Sequence, residues 1–178
     1  MTNLVRLRRL AAVLGTATWA AMGVVVLAAA WVLWQTPPAP ANAAALFPDH
    51  SVAQGVTAWQ LWLALALSGG LLLVLLWTLD QMRRLFGVFA RGEVLSLAAA
   101  TRILSIGRGL VALAGLTILV GAAQSALLSM AAPPGQRLLA IGISQSEVGF
   151  LLAGGLMTLI GWAMAEAAAV AEENRGFV

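Results

Sequence analysis

Four long apolar stretches are the feature that most restricts what this chain can fold into. They cover about residues 11–34, 58–79, 103–130 and 148–170. A helix needs about 20 apolar residues to cross the hydrocarbon core of a bilayer, because it rises about 1.5 Å per residue across about 30 Å. In lipid a helix also pairs its own backbone groups. The sequence therefore predicts an all-α, single-domain integral membrane bundle of four transmembrane helices over residues 1–178.

The composition agrees with a lipid exterior. Hydrophobic residues make up 61% of the chain and charged residues 10%, whereas soluble domains are about half apolar and a quarter charged. The first stretch has a second interpretation, a secretory signal with Arg6, Arg8 and Arg9 as its basic region. The apolar region of a signal is usually about 7–15 residues long. The greater length of the first stretch favours a transmembrane helix.

The first and third links between these stretches are rich in proline. The first holds four of the 6 prolines together with Asp49 and the only histidine, His50. Proline lacks a backbone donor and fixes its own φ, which indicates a loop. The third link, residues 131–147, contains Pro133-Pro134-Gly135. We expect residues 136–146 after this turn to form a short amphipathic segment on the membrane surface.

The central link, residues 80–102, contains no proline and is rich in arginine. Apolar residues recur in it at helical spacing, at Met82, Phe86 and Phe89. The pattern predicts that the second helix continues past the membrane to about Ala90. Gly92 is then expected to end it, and Ser96 to cap the following helix.

Arginine placement predicts the orientation. Only Arg137, of the 10 basic residues, lies in a proline-bearing link. The others lie in the N-terminal tail, in the central link, at the start of the third stretch and in the C-terminal tail. Because positively charged loops stay cytoplasmic, both termini are expected in the cytoplasm, in the bacterial inner membrane. Tryptophans that flank the first link fit an interfacial belt, with an aromatic ligand cage as the alternative; they are Trp31, Trp34, Trp59 and Trp62.

No pattern in the sequence indicates catalysis. Phosphate-binding glycine loops, zinc-protease histidine pairs and serine elbows are all lacking. The chain has no cysteine, and one histidine beside one carboxylate does not make a closed metal site. We therefore expect no enzyme, no cofactor and no metal. Glycines recur along the second to fourth stretches and predict close helix packing, with a transporter hinge as the alternative.

Charged residues at membrane depth are costly and need partners. Arg108 lies just inside the third stretch, and Glu166 lies about one turn before the end of the fourth. We expect Glu166 to pair with Arg108 or with Arg102, the alternative being that each side chain extends separately to the headgroups. The acidic tail containing Glu173 and Asn174 is expected to dock on the central link as a cytoplasmic cap.

Two parts of the chain resemble a known family. The run Phe89-Ala90-Arg91-Gly92-Glu93-Val94-Leu95-Ser96 precedes Arg102-Ile103 and Ile106-Gly107, and the chain closes with Glu166, then Glu172-Glu173-Asn174 and Phe177-Val178. This pattern resembles the family catalogued as domain of unknown function 2975. The sequence departs from the family at Leu95, where an aromatic residue is usual, and in a tail that lacks an aliphatic residue before the double glutamate.

The resemblance covers nearly the whole chain and implies a small prokaryotic protein with four transmembrane helices. It implies no established activity, but members are often encoded beside a small helix-turn-helix DNA-binding protein. The resulting hypothesis is a non-enzymatic regulatory or scaffolding membrane protein. Its cytoplasmic face, residues 83–102 and 166–178, would bind a protein such as that regulator rather than nucleic acid itself. The predicted site residues are Arg91, Gly92, Glu93, Ser96, Arg102, Arg108, Glu166, Glu173 and Asn174.

The alternative hypothesis is a transporter-like protein that binds a small molecule or lipid. It requires a cavity among the glycine-rich helices. Such a cavity would be lined by Gln124, Ser125, Arg108 or Glu166.

Overall fold

The protein is described by a computed structural model that covers residues 2–133, 137 and 139–175, with side chains for 6–133, 137 and 139–171. The described part is helical and contains no strand. A short 3-10 turn spans Pro40–Asn42. The helices are α1 Thr2–Gln35, α2 Ala43–Leu46, α3 Ala58–Ala90, α4 Leu97–Ser129 and α5 Gln145–Arg175.

Four of these helices are long and apolar enough to cross a membrane, in agreement with the four apolar stretches of the sequence. The qualifying segments are Arg6–Gln35, Ala58–Ala90, Leu97–Ser129 and Gln145–Ala171. The helix α3 has 33 residues, which corresponds to about 50 Å at 1.5 Å per residue. A hydrocarbon core of about 30 Å is shorter than that. The helix α3 is therefore longer than the hydrocarbon core is thick.

The four long helices of the predicted bundle pack in an open row. The helix α1 packs on α3, α3 on α4 and α4 on α5, while the remaining pairs make at most marginal contact. Every packed pair is antiparallel. Gln81 reaches Arg102 across the α3–α4 pair, and Gly161 approaches Leu104 across the α4–α5 pair. The start of α1, the α3–α4 connection and the end of α5 therefore lie at one end of the row, called the link end below.

The contact between α1 and α3 follows one narrow face of α1. Residues with reduced exposure recur along α1 at alternating spacings of four and three, the seam of an antiparallel coiled-coil pair. They are Ala11, Gly15, Thr18, Met22, Val25 and Ala29. The rest of the described surface of α1 is largely exposed, so it is left to lipid or to a partner.

The opposite end, called the loop end, is closed by the first proline-rich link. Phe47 and Val56 from this link pack against Leu61 of α3 and Leu128 of α4. The backbone amide of Ala53 donates to the carbonyl of Leu128 at 3.2 Å. The first proline-rich link therefore packs on the α3–α4 pair at the loop end. Within the segment expected to be amphipathic, residues 136–146, the described residues 139–144 are irregular and α5 begins at Gln145.

Glycines allow α4 and α5 to approach closely. A methyl group built on Gly154 would lie 2.8 Å from the carbonyl oxygen of Gly107, and one on Gly161 would lie 2.7 Å from Cγ of Leu104. Helix association in lipid relies on such contacts, since there is no hydrophobic drive between helices. The predicted packing role is confirmed at these glycines. At Gly115 and Gly155, by contrast, an added methyl group meets nothing within 4 Å.

Candidate interaction surface at the link end

The connection between α3 and α4, Arg91–Ser96, is called the link from here on. Gly92 adopts φ +85°, in the left-handed region that favours glycine, and its amide donates to the carbonyl of Phe89 at 2.9 Å. The helix α3 ends at Ala90. Both the predicted end of this helix and the role of Gly92 in ending it are confirmed.

Ser96 caps α4 as predicted. Its Oγ accepts from the backbone amide of Ala99 at 3.1 Å, which pairs one of the free amides in the first turn of the helix. The same hydroxyl donates to the carbonyl of Glu93 at 2.9 Å. One side chain therefore joins the first turn of α4 to the middle of the link and fixes its conformation.

Carboxylates neutralise some of the arginines at this end. Asp80 accepts from Arg83 at 2.6 Å and from Arg84 at 2.5 Å, both on the same face of α3. Arg83 also lies over the ring of Trp19, 5.2 Å from its centroid, which ties α1 to α3. Asp80 is the first charged residue of α3, which begins at Ala58.

The structure does not bring Glu166 together with either proposed arginine partner. Arg102 donates instead to Oε1 of Gln81 at 2.9 Å, while Arg108 and Glu166 are exposed. Among the described side chains, neither Arg108 nor Glu166 takes part in a salt bridge. Because Leu104 packs on Gly161, antiparallel α4 and α5 place Arg108 and Glu166 on opposite sides of that contact, about 13 Å apart along the axes.

The link and the first residue of α4 present apolar side chains that the sequence did not indicate as a site. Leu95 is 83% exposed and Leu97 is 56% exposed. The link begins two helical turns beyond Arg84, about 10 Å further from the apolar part of α3. In the sequence, only the departure from the family pattern at Leu95 distinguished this side chain. That departure did not indicate whether the side chain is exposed.

Charged groups flank these leucines. Arg91 contacts Glu93 at 3.3 Å, and both side chains are at least half exposed, 60% and 50% respectively. This pair lies on the surface and contributes little to stability. The link therefore combines exposed aliphatic side chains with an exposed ion pair, a mixture suited to protein recognition. The side chains of Glu173 and Asn174 lie outside the described residues, so the proposed cap remains a prediction.

A second candidate site is a cavity of about 450 Å³ at the loop end. It lies between α4, the start of α5 and the first proline-rich link. Its titratable lining residues are Asp49, His50 and Glu147, and Ser125 contributes from α4. Oε2 of Glu147 accepts from the backbone amide of Ser144 at 2.6 Å and from its hydroxyl, so this carboxylate also caps α5.

Of the four residues expected around a cavity of this kind, Ser125 lines this one, and Gln124, Arg108 and Glu166 do not. Gln124 is 5% exposed and donates across the α3–α4 pair, to the carbonyl of Ala64 at 2.9 Å and to Oγ of Ser68 at 2.8 Å. It holds these two helices together. Arg108 is exposed on α4 and is not among the lining residues.

Comparison of the chain with protein-family models, curated proteins and solved structures finds no match.

Proposed function

We propose that this chain is a non-enzymatic, multi-pass protein of the bacterial inner membrane whose link binds a cytoplasmic protein. The supporting observation for orientation is the charge asymmetry between the two ends. With one exception, the arginines with described side chains lie at or near the link end. The exception, Arg137, lies in the connection before α5. Positively charged segments are retained in the cytoplasm, so the link and both termini face that compartment.

The observation that carries the partner-binding proposal is the exposure of Leu95. The side chain of Leu95 is 83% exposed, in a connection about 10 Å beyond Arg84 along α3, and the described part of the chain does not cover it. A partner that buries a leucine fully recovers about 1.5–3 kcal/mol. The resemblance to the family of domain of unknown function 2975 suggests that the partner is a small helix-turn-helix regulator. A regulator held at the membrane would be withdrawn from its DNA.

Co-purification with a small helix-turn-helix protein from the same genome tests the proposal. Full-length protein would be solubilised from membranes that contain both proteins. We expect Leu95→Asp to abolish co-purification, because the carboxylate cannot be buried without a partner charge. The matched control is Leu139→Asp, at a residue that is 65% exposed in the connection before α5; it should retain the regulator. The proposal is contradicted if the Leu95→Asp variant recovers as much regulator as the unaltered chain does. It is also contradicted if the unaltered chain forms no complex with the regulator.

The cavity at the loop end supports a second candidate function, binding of a small polar molecule from outside the cell. Single cysteines test whether water and solutes enter it, since the chain has no cysteine of its own. Gly121 lines the cavity, whereas Gly115 has open space around it on the same helix. A water-soluble, cationic thiol reagent should modify Gly121→Cys and not the lipid-facing Gly115→Cys. An unreactive Gly121→Cys removes this candidate.

A further inference from the structure

Glu147 is a buried carboxylate in the wall of the cavity at the loop end. It is 7% exposed, although its neighbours in the chain, Ser146 and Val148, are exposed. Both oxygens of a carboxylate accept hydrogen bonds. Oε2 accepts from the amide and the hydroxyl of Ser144, whereas no other described residue donates to Oε1. One oxygen of a nearly buried charge is therefore left without a donor from a neighbouring residue.

This second oxygen meets the open space of the cavity. In the part of the chain whose side chains are described, no fully enclosed side-chain oxygen lacks a hydrogen-bond partner. Oε1 accepts from no neighbouring residue, and Glu147 lines the cavity, so Oε1 faces the cavity rather than the protein interior. A buried charged oxygen without a donor is costly. A cationic donor in the cavity would therefore stabilise it.

The cavity is acidic. Asp49 adds a second carboxylate from the first proline-rich link, where it is exposed. No described arginine lines the cavity. Arg108 lies about 20 Å from Gly121 along the axis of α4, and Arg137 donates to the carbonyl of Ala132 at 3.4 Å. Two carboxylates with no arginine beside them favour a positively charged ligand.

The rest of the lining favours an organic cation over a metal ion. Within the described residues, no three metal-binding side chains lie close enough together to hold a metal ion. The volume of about 450 Å³ falls in the range of ligand pockets, about 300–1,000 Å³. Ile118 and Ile143 contribute aliphatic surface, and the imidazole of His50, when neutral, offers one more acceptor. This mixture fits an ammonium group on a small apolar body.

Hydrogen bonds hold the walls of the cavity in place. Oγ of Ser125 on α4 accepts from the backbone amide of Ala140 at 3.0 Å, which fixes the connection before α5 against α4. In the first proline-rich link, the amide of His50 donates to the carbonyl of Phe47 at 3.1 Å. The two rings meet edge to face with their centroids 6.1 Å apart, and Phe47 is itself buried. The cavity is therefore formed before a ligand enters, which lowers the cost of binding.

We propose that the cavity at the loop end binds a small organic ammonium ion. The ammonium group donates to Oε1 of Glu147, Asp49 adds negative charge, and the apolar part of the ligand lies against Ile118 and Ile143. The proposal deepens the second candidate function and rests on it, because it requires that solutes enter the cavity. It does not require the protein partner of the link.

Protection of Gly121→Cys from the neutral reagent N-ethylmaleimide tests the proposal in the full-length protein in detergent. Benzylammonium chloride is the probe, because its charged group and its ring match the acceptors and the apolar wall. It should slow the modification of Gly121→Cys. Equal concentrations of benzyl alcohol, which has the ring without the charge, and of potassium chloride should not. Leu95→Cys in the link is the control cysteine, and its rate of modification should stay constant.

Glu147→Gln, combined with Gly121→Cys, should raise the benzylammonium concentration for half-protection about tenfold, the equivalent of about 1.4 kcal/mol. Glutamine keeps an oxygen that accepts from Ser144, so α5 remains capped. Asp49→Asn, at an exposed loop position, should also weaken protection and leaves that cap untouched. The matched control is Glu166→Gln, which removes an exposed carboxylate far from the cavity and should change nothing.

Failure of this proposal is distinguishable from failure of the second candidate function. An unreactive Gly121→Cys removes both. A reactive Gly121→Cys overturns the ammonium assignment alone if benzylammonium protects no better than benzyl alcohol or potassium chloride. The assignment is also overturned if Glu147→Gln and Asp49→Asn both leave protection by benzylammonium unchanged.

Discussion

Single residues in this protein have effects that depend on which side of a helix they occupy. Gly154 and Gly155 are neighbours in the chain, yet a methyl group on Gly154 would lie 2.8 Å from Cγ2 of Val111, whereas one on Gly155 meets nothing within 4 Å. The sequence predicted that glycines pack helices together. The sequence did not distinguish glycines that contact another helix from glycines that contact none, because lipid-facing and helix-facing surfaces are both apolar.

This difference gives a stability prediction with a matched control. Gly154→Leu should lower the free energy of unfolding by about 1–3 kcal/mol, since the larger side chain must force α4 and α5 apart. Gly155→Leu should leave it nearly unchanged. Unfolding of the detergent-solubilised protein by increasing sodium dodecyl sulfate, followed by circular dichroism, measures both. Equal destabilisation by the two substitutions would contradict the α4–α5 contact.

At the scale of elements, the link was the part best predicted from the sequence. The end of α3 at Ala90, the left-handed Gly92 and the capping Ser96 all depend on local backbone chemistry, which neighbouring residues determine. The pairing of Glu166 with Arg108 depends instead on how two helices are rotated and staggered. Hydropathy gave their approximate depth in the membrane. It gave neither the rotation nor the register of α4 against α5.

The cap of α4 leads to a prediction for the same element. Ser96→Ala removes the acceptor for the amide of Ala99 and the donor to Glu93, so it should cost about 1 kcal/mol and loosen the link. Hydrogen exchange at the amides of the link and of the first turn of α4 should accelerate. Ser105→Ala is the control, because the Ser105 hydroxyl donates only to the Thr101 carbonyl within α4. Equal exchange rates in the two variants would show that the cap does not stabilise this junction.

At the scale of the whole molecule, the number of long helices followed from hydropathy but their arrangement did not. A bundle was expected, and the structure shows a row in which each long helix contacts its neighbour in the chain. Lipid solvates apolar helix faces, so no hydrophobic drive closes the row into a bundle. The short link between Ala90 and Leu97 favours antiparallel α3 and α4. Because α1 and α5 also pack antiparallel to their neighbours, the start of α1 and the end of α5 lie at the same end as the link.

The central claim is that the link faces the cytoplasm while the proline-rich loop end faces outward. Single cysteines in the natively cysteine-free chain test it most directly, using a membrane-impermeant maleimide on intact cells. Ser51→Cys in the first proline-rich link and Leu95→Cys in the link leave the charge of the chain unchanged. Ser51→Cys should be labelled in intact cells and Leu95→Cys only after the membrane is permeabilised. Labelling of Leu95→Cys in intact cells would contradict the orientation, and with it the cytoplasmic partner.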